Sequence, residues 1–265
     1  MWYGQMIDQG IFTELESFLE RGKRLGAPDL SQAEIDALDT LVQAKKANGT
    51  WEKAAAIYPF VGSTSAWHSL NLKNAFKFQL VFNGSPGHSA SGVQFTGTQW
   101  ADTGIIPAND LIGNDVSIWS YLLENDNTLG SATLGSADLS NVRSLYFIAR
   151  NNDDTFRTRC SSNITNLYSP MLDARGYSGA SRLAGSGQEY KVVKNGVILE
   201  IVSEAASGLN SFEAILGGFN IGGDKRNFLV NTMAFAEFAA GYTDAQIAAE
   251  YTAVQAFQTA LGREV

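Results

Sequence analysis

The chain has 265 residues, a formal net charge of −8, 45% hydrophobic and 17% charged residues, 26 glycines and one cysteine. That length accommodates one large domain plus a small accessory piece, and the acidic balance argues against a nucleic-acid surface, which needs clustered Lys and Arg. The lone Cys160 leaves no intramolecular disulfide to staple the fold, and no apolar run approaches the roughly 18 residues of a membrane span. The N-terminus lacks the basic-then-apolar order of a signal peptide, so a soluble product assembled in a cytoplasm is expected.

From Ile11 to Arg24 the positions Ile11, Phe12, Leu15, Phe18 and Leu19 recur at helical spacing; Gly22 and Gly26 weaken the pattern and Pro28 ends it. Ser31 followed by Glu34 forms a capping-box signature, predicting a second helix through Ile35, Leu38, Leu41 and Val42 that closes at Asn48-Gly49. A third short apolar segment, Trp51 to Phe60, is read with these two as a small helical N-terminal region covering residues 1–61.

After residue 62 the apolar period shifts from 3.6 towards 2, and turn residues come at short intervals. Strands are predicted at Phe76 to Phe82, Gly92 to Thr96, Thr103 to Ile106, Val116 to Leu123, Ser144 to Ala149 and Thr155 to Cys160. Four more follow at Tyr190 to Lys194, Val197 to Val202, Glu213 to Asn220 and Phe228 to Phe238, and Asn195-Gly196 between two β-branched runs is a strong hairpin signal. Asn125 to Val142 and Ser169 to Gln188 read as long loops. Thr243 and Asp244 then open a helix with the stripe Ile247, Tyr251, Val254, Phe257 and Leu261, which stops at Gly262. Short connections between so many strands predict a mainly β fold, an antiparallel β-sandwich over residues 62–265.

Three ordered segments carry a family resemblance. Gly92-Val93-Gln94-Phe95-Thr96-Gly97 with Trp100 and Gly104, the hairpin Tyr190 to Ile198, and Met233 to Phe238 followed by Tyr242-Thr243-Asp244-Ala245-Gln246-Ile247 resemble concanavalin A-like lectin/glucanase (laminin-G-like) sandwich domains of jelly-roll architecture. The stretch Ala56 to Gly62, with His68, Asn71-Leu72 and the terminal Ala256 to Arg263, is similar to sandwich proteins encoded by bacteriophages and prophages of Bacteroidetes-type hosts. This resemblance implies a non-enzymatic virion structural protein such as a spike, fibre or capsid decoration. Its partners would be other virion proteins and a host surface glycan, residues 1–61 would anchor or oligomerise it, and a trimer or another cyclic oligomer is expected. The alternatives are a lectin-like carbohydrate-binding module without a virion role, or a glycoside hydrolase.

The residues themselves offer little catalysis. The glucanases of this superfamily use Glu-x-Asp-x-Glu on one strand, whereas Glu124-Asn125-Asp126-Asn127-Thr128 has Thr128 at the third position and reads as a solvated acidic turn. Gly87-His88-Ser89-Ala90-Ser91 is an incomplete nucleophile elbow without a strand-turn-helix context. Gly218 to Lys225 echoes a phosphate loop but lacks the Lys-Ser/Thr ending. Asn151-Asn152-Asp153-Asp154 lacks EF-hand spacing, so no metal ligand or cofactor is assigned, and a rim calcium ion of the kind this superfamily often holds is not readable. Cys160, beside Arg157 and Arg159, is expected to be buried. Sugar recognition uses flat rings, and among Trp67, Trp100, Trp119, Tyr121 and Tyr177, the two in or beside predicted loops, Trp100 and Tyr177, are the carbohydrate-contact candidates.

Overall fold

The computed structural model describes residues 13–265, so the expected contribution of Ile11 and Phe12 to the first helix lies outside it. Helix α1 (Glu14–Arg24) opens at Thr13, whose hydroxyl accepts the Glu16 N–H while the Glu16 carboxylate accepts the Thr13 N–H. Helix α2 (Gln32–Ala47) opens with the same reciprocal pair at Ser31 and Glu34, as the sequence predicts. Each box satisfies donors that the first helical turn leaves without partners.

Two sheets follow. The first has eight strands in the order β13 (Val197–Ser203), β12 (Glu189–Lys194), β11 (Gly176–Arg182), β6 (Val116–Leu122), β17 (Val230–Ala239), β4 (Gly92–Thr96) and β3 (Gly87–Ser89), with β1 (Ala54–Tyr58) also on β17. Strand β17 has β6 on one side; on the other, β4 pairs with its first residues and β1 with its last. The second sheet orders β10 (Asn166–Tyr168), β9 (Phe156–Ser162), β8 (Ser144–Ile148), β7 (Leu134–Ala137), β14 (Ile215–Leu216), β5 (Trp100–Asp102) and β2 (Val81–Asn83). Here β15 (Phe219–Ile221) runs parallel to β7 and forms a hairpin with β16 (Asp224–Arg226); every other pairing in the two sheets is antiparallel. Two single-turn helices, α3 (Ser65–His68) and α4 (Pro107–Asp110), interrupt the early strands, and α5 (Asp244–Ala260) ends the fold behind a capping box of Thr243 and Gln246.

Alternation along β6 sends its side chains to two different interiors. Val116, Ile118 and Leu122 face the second sheet, where they meet Leu134, Leu145, Phe147 and Phe156. Trp119 and Tyr121 face the other way, into a cluster with Phe18, Leu38, Leu41, Phe235, Val254 and Phe257. Helices α2 and α5 therefore cover the outer face of the first sheet, and the apolar stripes read from the sequence are buried against it. The result is a β-sandwich with a helical layer on one face, the mainly β fold that the sequence predicts.

Several local expectations are corrected. Trp51 to Phe60 is not helical: Ala54–Tyr58 is a strand whose backbone pairs with β17 and whose side chains enter both interiors, Ala56 and Tyr58 on one side and Ile57 on the other. The expected loop Ser169 to Gln188 contains β11, a central strand buried at every position. It shows no alternation because neither face meets water, and it is small because Trp119 lies over it: a Cβ on Gly179 would sit 2.6 Å from the Trp119 ring and 2.1 Å from the Ile118 carbonyl oxygen. The expected loop Asn125 to Val142 contains β7, again buried throughout. Phe76 to Phe82 pairs only over Val81–Asn83, and the strand expected at Thr103 to Ile106 lies earlier, at Trp100–Asp102. Glu213 to Asn220 is split into β14 and β15 by Gly217, at φ +73°, and Gly218.

Candidate functional site

At one end of the first sheet, the last residues of β4, the segment leaving β6 and the start of β17 converge. They enclose a groove of about 330 Å³ lined by Gln94, Thr96, Glu124, Asn125, Asp126 and Asn231, with Val230 as an apolar wall. Strand alternation creates the first part, since Gln94 and Thr96 are exposed while the alternate residues Val93 and Phe95 enter the core. Asn231 builds the second part: its side chain accepts the Glu124 N–H at 3.0 Å and donates to the Glu124 carbonyl at 2.7 Å, clamping the chain as it leaves β6. Asn125 is held equally firmly, accepting from Arg150 at 2.9 Å and from the Ala174 N–H at 2.8 Å while donating to the Leu172 carbonyl at 3.1 Å. Asp126 closes its own turn by accepting the Thr128 N–H and hydroxyl.

Apart from the groove, Trp100 of β5 and Phe228 form a stacked pair with ring centroids 5.3 Å apart; Ala101 enters the core between the sheets, so alternation turns Trp100 to the outer face of the second sheet, whereas Gln94 and Thr96 lie on the outer face of the first. Trp100 is partly exposed. Its indole N–H donates to Asp102 at 3.2 Å, and Asp102 also accepts from Asn83 at 2.9 Å and pairs with Lys225 at 3.2 Å. An aromatic shelf flanked by a carboxylate, an amide and an ammonium thus lies on the second sheet, separate from the polar groove.

Tyr177, the second aromatic candidate, is corrected by the structure. It is fully buried on β11, stacked on Trp119 at 5.3 Å, and has no ring face to offer a ligand. The loop expectation failed there because β11 is a strand. Glu124 and Asp126 lie at the groove as an acidic turn, each accepting backbone or hydroxyl hydrogens. Ser89 accepts from Ser91 N–H, while His88 faces His68 across 3.0 Å between their Nδ1 atoms, so the elbow-like run holds no Ser–His bond. Burial, His88 and Arg263 push His68 down to about 3, which keeps that imidazole neutral. Gly218 to Lys225 is the β15–β16 hairpin region. Asp153 and Asp154 are paired with Arg157 and Arg150, and among the described residues no group of three or more His, Cys, Asp or Glu is placed to hold a metal ion. Cys160 is fully buried, and burial pushes its thiol up to about 12.

Sequence reasoning missed Gln94, Asn231 and Phe228. The first was signalled by alternation within the predicted strand Gly92 to Thr96; the other two depend on pairings between segments more than a hundred residues apart. Two further cavities are less suited to a polar ligand. One, of about 310 Å³ beside β1, is lined by Lys53 and Asp115, which already bind the Gly241 backbone. The other, of about 250 Å³, is an alanine-rich furrow between α2 and α5.

No protein-family model matches the chain, and no curated protein matches it. Among solved structures, it is similar to domain 4 of AbnA, a GH43 extracellular arabinanase from Geobacillus stearothermophilus, in complex with arabinotriose, at 13% identity and a TM-score of 0.52 over 74% of this chain and 97% of that one. It is also similar to the Ruminococcus gnavus IT-sialidase CBM40 bound to alpha2,3 sialyllactose, at 12% identity and a TM-score of 0.46 over 59% of this chain and 94% of that one. A Trypanosoma rangeli sialidase matches at 9% identity and a TM-score of 0.49 over 82% of this chain and 39% of that one. At such identity the likeness to the arabinanase domain is one of fold alone, a β-sandwich.

Proposed function

We propose that this chain is a non-catalytic carbohydrate-binding module whose ligand lies in the groove between Gln94, Glu124, Asp126 and Val230. The observation that carries this reading is the groove's lining, in which polar side chains stand beside an apolar wall. Pyranose and furanose rings present C–H faces that pack on apolar side chains, and hydroxyl edges that need hydrogen-bond partners; Val230 and the polar lining supply one each. The likeness to an arabinanase domain solved with arabinotriose supports the same reading at the level of fold. The reading is non-catalytic because Glu124 is tied to the Thr232 N–H and Asp126 to Thr128, and Thr128 stands where a second catalytic carboxylate would be needed.

The test is titration of the full chain with neutral oligosaccharides, arabinotriose among them, followed by tryptophan fluorescence and calorimetry. Saturable binding, weakened at least tenfold in Gln94→Ala with the circular dichroism unchanged, supports the proposal. Binding unaffected by that substitution overturns the placement in the groove, and release of reducing sugar lost on Glu124→Gln makes the protein a hydrolase instead. The virion role implied by the sequence resemblance is not needed for this reading; antibody labelling of purified particles tests it.

A further inference from the structure

We infer that the groove selects uncharged, hydroxyl-rich sugars and discriminates against glycans that carry a carboxylate, an inference that rests on the carbohydrate-binding reading above. The hydrogen-bonding capacity left open in the groove decides this. Asn125 and Asn231 have both ends of their carboxamides engaged with the protein, and the Thr96 hydroxyl exchanges hydrogen bonds with Gln99 at 3.0 and 2.7 Å. What remains is one carboxylate oxygen of Glu124, the remaining lone pairs of Asp126, and the Gln94 carboxamide, which makes no hydrogen bond to any described residue.

Two of these three groups are acceptors only, and both are anionic. Neither Glu124 nor Asp126 forms an ion pair with a described residue, and no Lys or Arg lines the groove. Arg150, which donates to the lining Asn125, is already committed to Asp154. A ligand in this groove must therefore donate hydrogens. Sugar hydroxyls do so in charge-assisted bonds, whereas a sialic or uronic acid brings a third negative charge into a site with no counter-ion to receive it.

The experiment compares a matched pair on the full chain by calorimetry and heteronuclear NMR: lactose and 3′-sialyllactose, with arabinotriose as a second neutral probe. The expected result is binding of at least one neutral sugar and a tenfold or greater loss for the sialylated one at low salt. That gap should narrow in 0.5 M NaCl, because exposed charges are screened, and it should narrow again in Glu124→Gln and in Asp126→Asn. Equal or tighter binding of sialyllactose overturns the charge inference while leaving the carbohydrate reading intact. Failure of every sugar to bind overturns both, and a selectivity unchanged by both substitutions overturns the assignment of these two carboxylates.

Discussion

Replacing Lys45 by Met removes the only cation from a buried cluster that joins the helical layer to the sandwich. Lys45 on α2 lies 3.0 and 3.1 Å from the two carboxylate oxygens of Glu237 on β17 and also binds Glu250 on α5; all three side chains are fully buried. Tyr242 donates to Glu237 at 2.7 Å and Thr50 to Glu250 at 2.5 Å, completing the cluster. Met matches the length of the lysine stem but leaves the two buried carboxyl groups without the cation between them. Breaking a buried pair in this way costs about 3–5 kcal/mol, which for a chain of this size lowers Tm by about 10 °C.

The pH dependence sharpens that prediction. Burial and the Glu250 carboxylate push Glu237 up, and Lys45 pulls it down; the balance leaves it near 8, against 4.5 in an open chain. The folded state then holds a proton that the unfolded state has lost, so this group stabilises fully below about pH 4.5, and its contribution falls as pH rises through 8. The slope over that window is about 1.4 kcal/mol per pH unit. Glu237→Gln, neutral and of the same shape, should abolish this component and be more stable than the parent at pH 9. Urea unfolding of the parent and both variants at pH 5, 7 and 9 is the assay. A cost below about 1 kcal/mol for Lys45→Met, or an unchanged pH slope in Glu237→Gln, would refute the reasoning.

Two further outcomes follow from the packing. Gly135 on β7 has φ +138°, and a Cβ there would lie 2.2 Å from the Leu145 carbonyl oxygen, so Gly135→Ala should cost about 3 kcal/mol in denaturant unfolding from backbone strain and overpacking; a change within 0.5 kcal/mol would contradict the register of β7 against β8. Cys160, buried with its thiol pushed up to about 12, should resist a thiol reagent at pH 8 in the native state and react at once in guanidinium; rapid native labelling would place it elsewhere.

What could be read from the sequence was whatever is local. The capping boxes at Ser31/Glu34 and Thr243/Gln246 involve residues three apart, and the β12–β13 hairpin turns on Asn195 and Gly196, both at positive φ. Strand β4 was legible because one face is wet and the alternation shows. Strands β1, β7 and β11 were not, because sheet or helix covers both of their faces and hydrophobic periodicity vanishes when neither side meets water. The same cause misplaced Tyr177. The candidate site divides likewise: Trp100, Glu124 and Asp126 were visible as residue types near turns, but the clamp of Asn231 on Glu124 spans 107 positions, and the Lys45–Glu237 contact spans 192.

The central claim, that the rim groove binds a sugar, is tested most directly by a heteronuclear NMR titration of the full chain with arabinotriose and lactose. The account predicts saturable shifts at Gln94, Asp126 and Val230 for at least one of these sugars, and loss of the shifts at Asp126 and Val230 in Gln94→Ala. Unperturbed resonances at all three positions with millimolar sugar, or shifts confined to the opposite end of the sandwich, would contradict it.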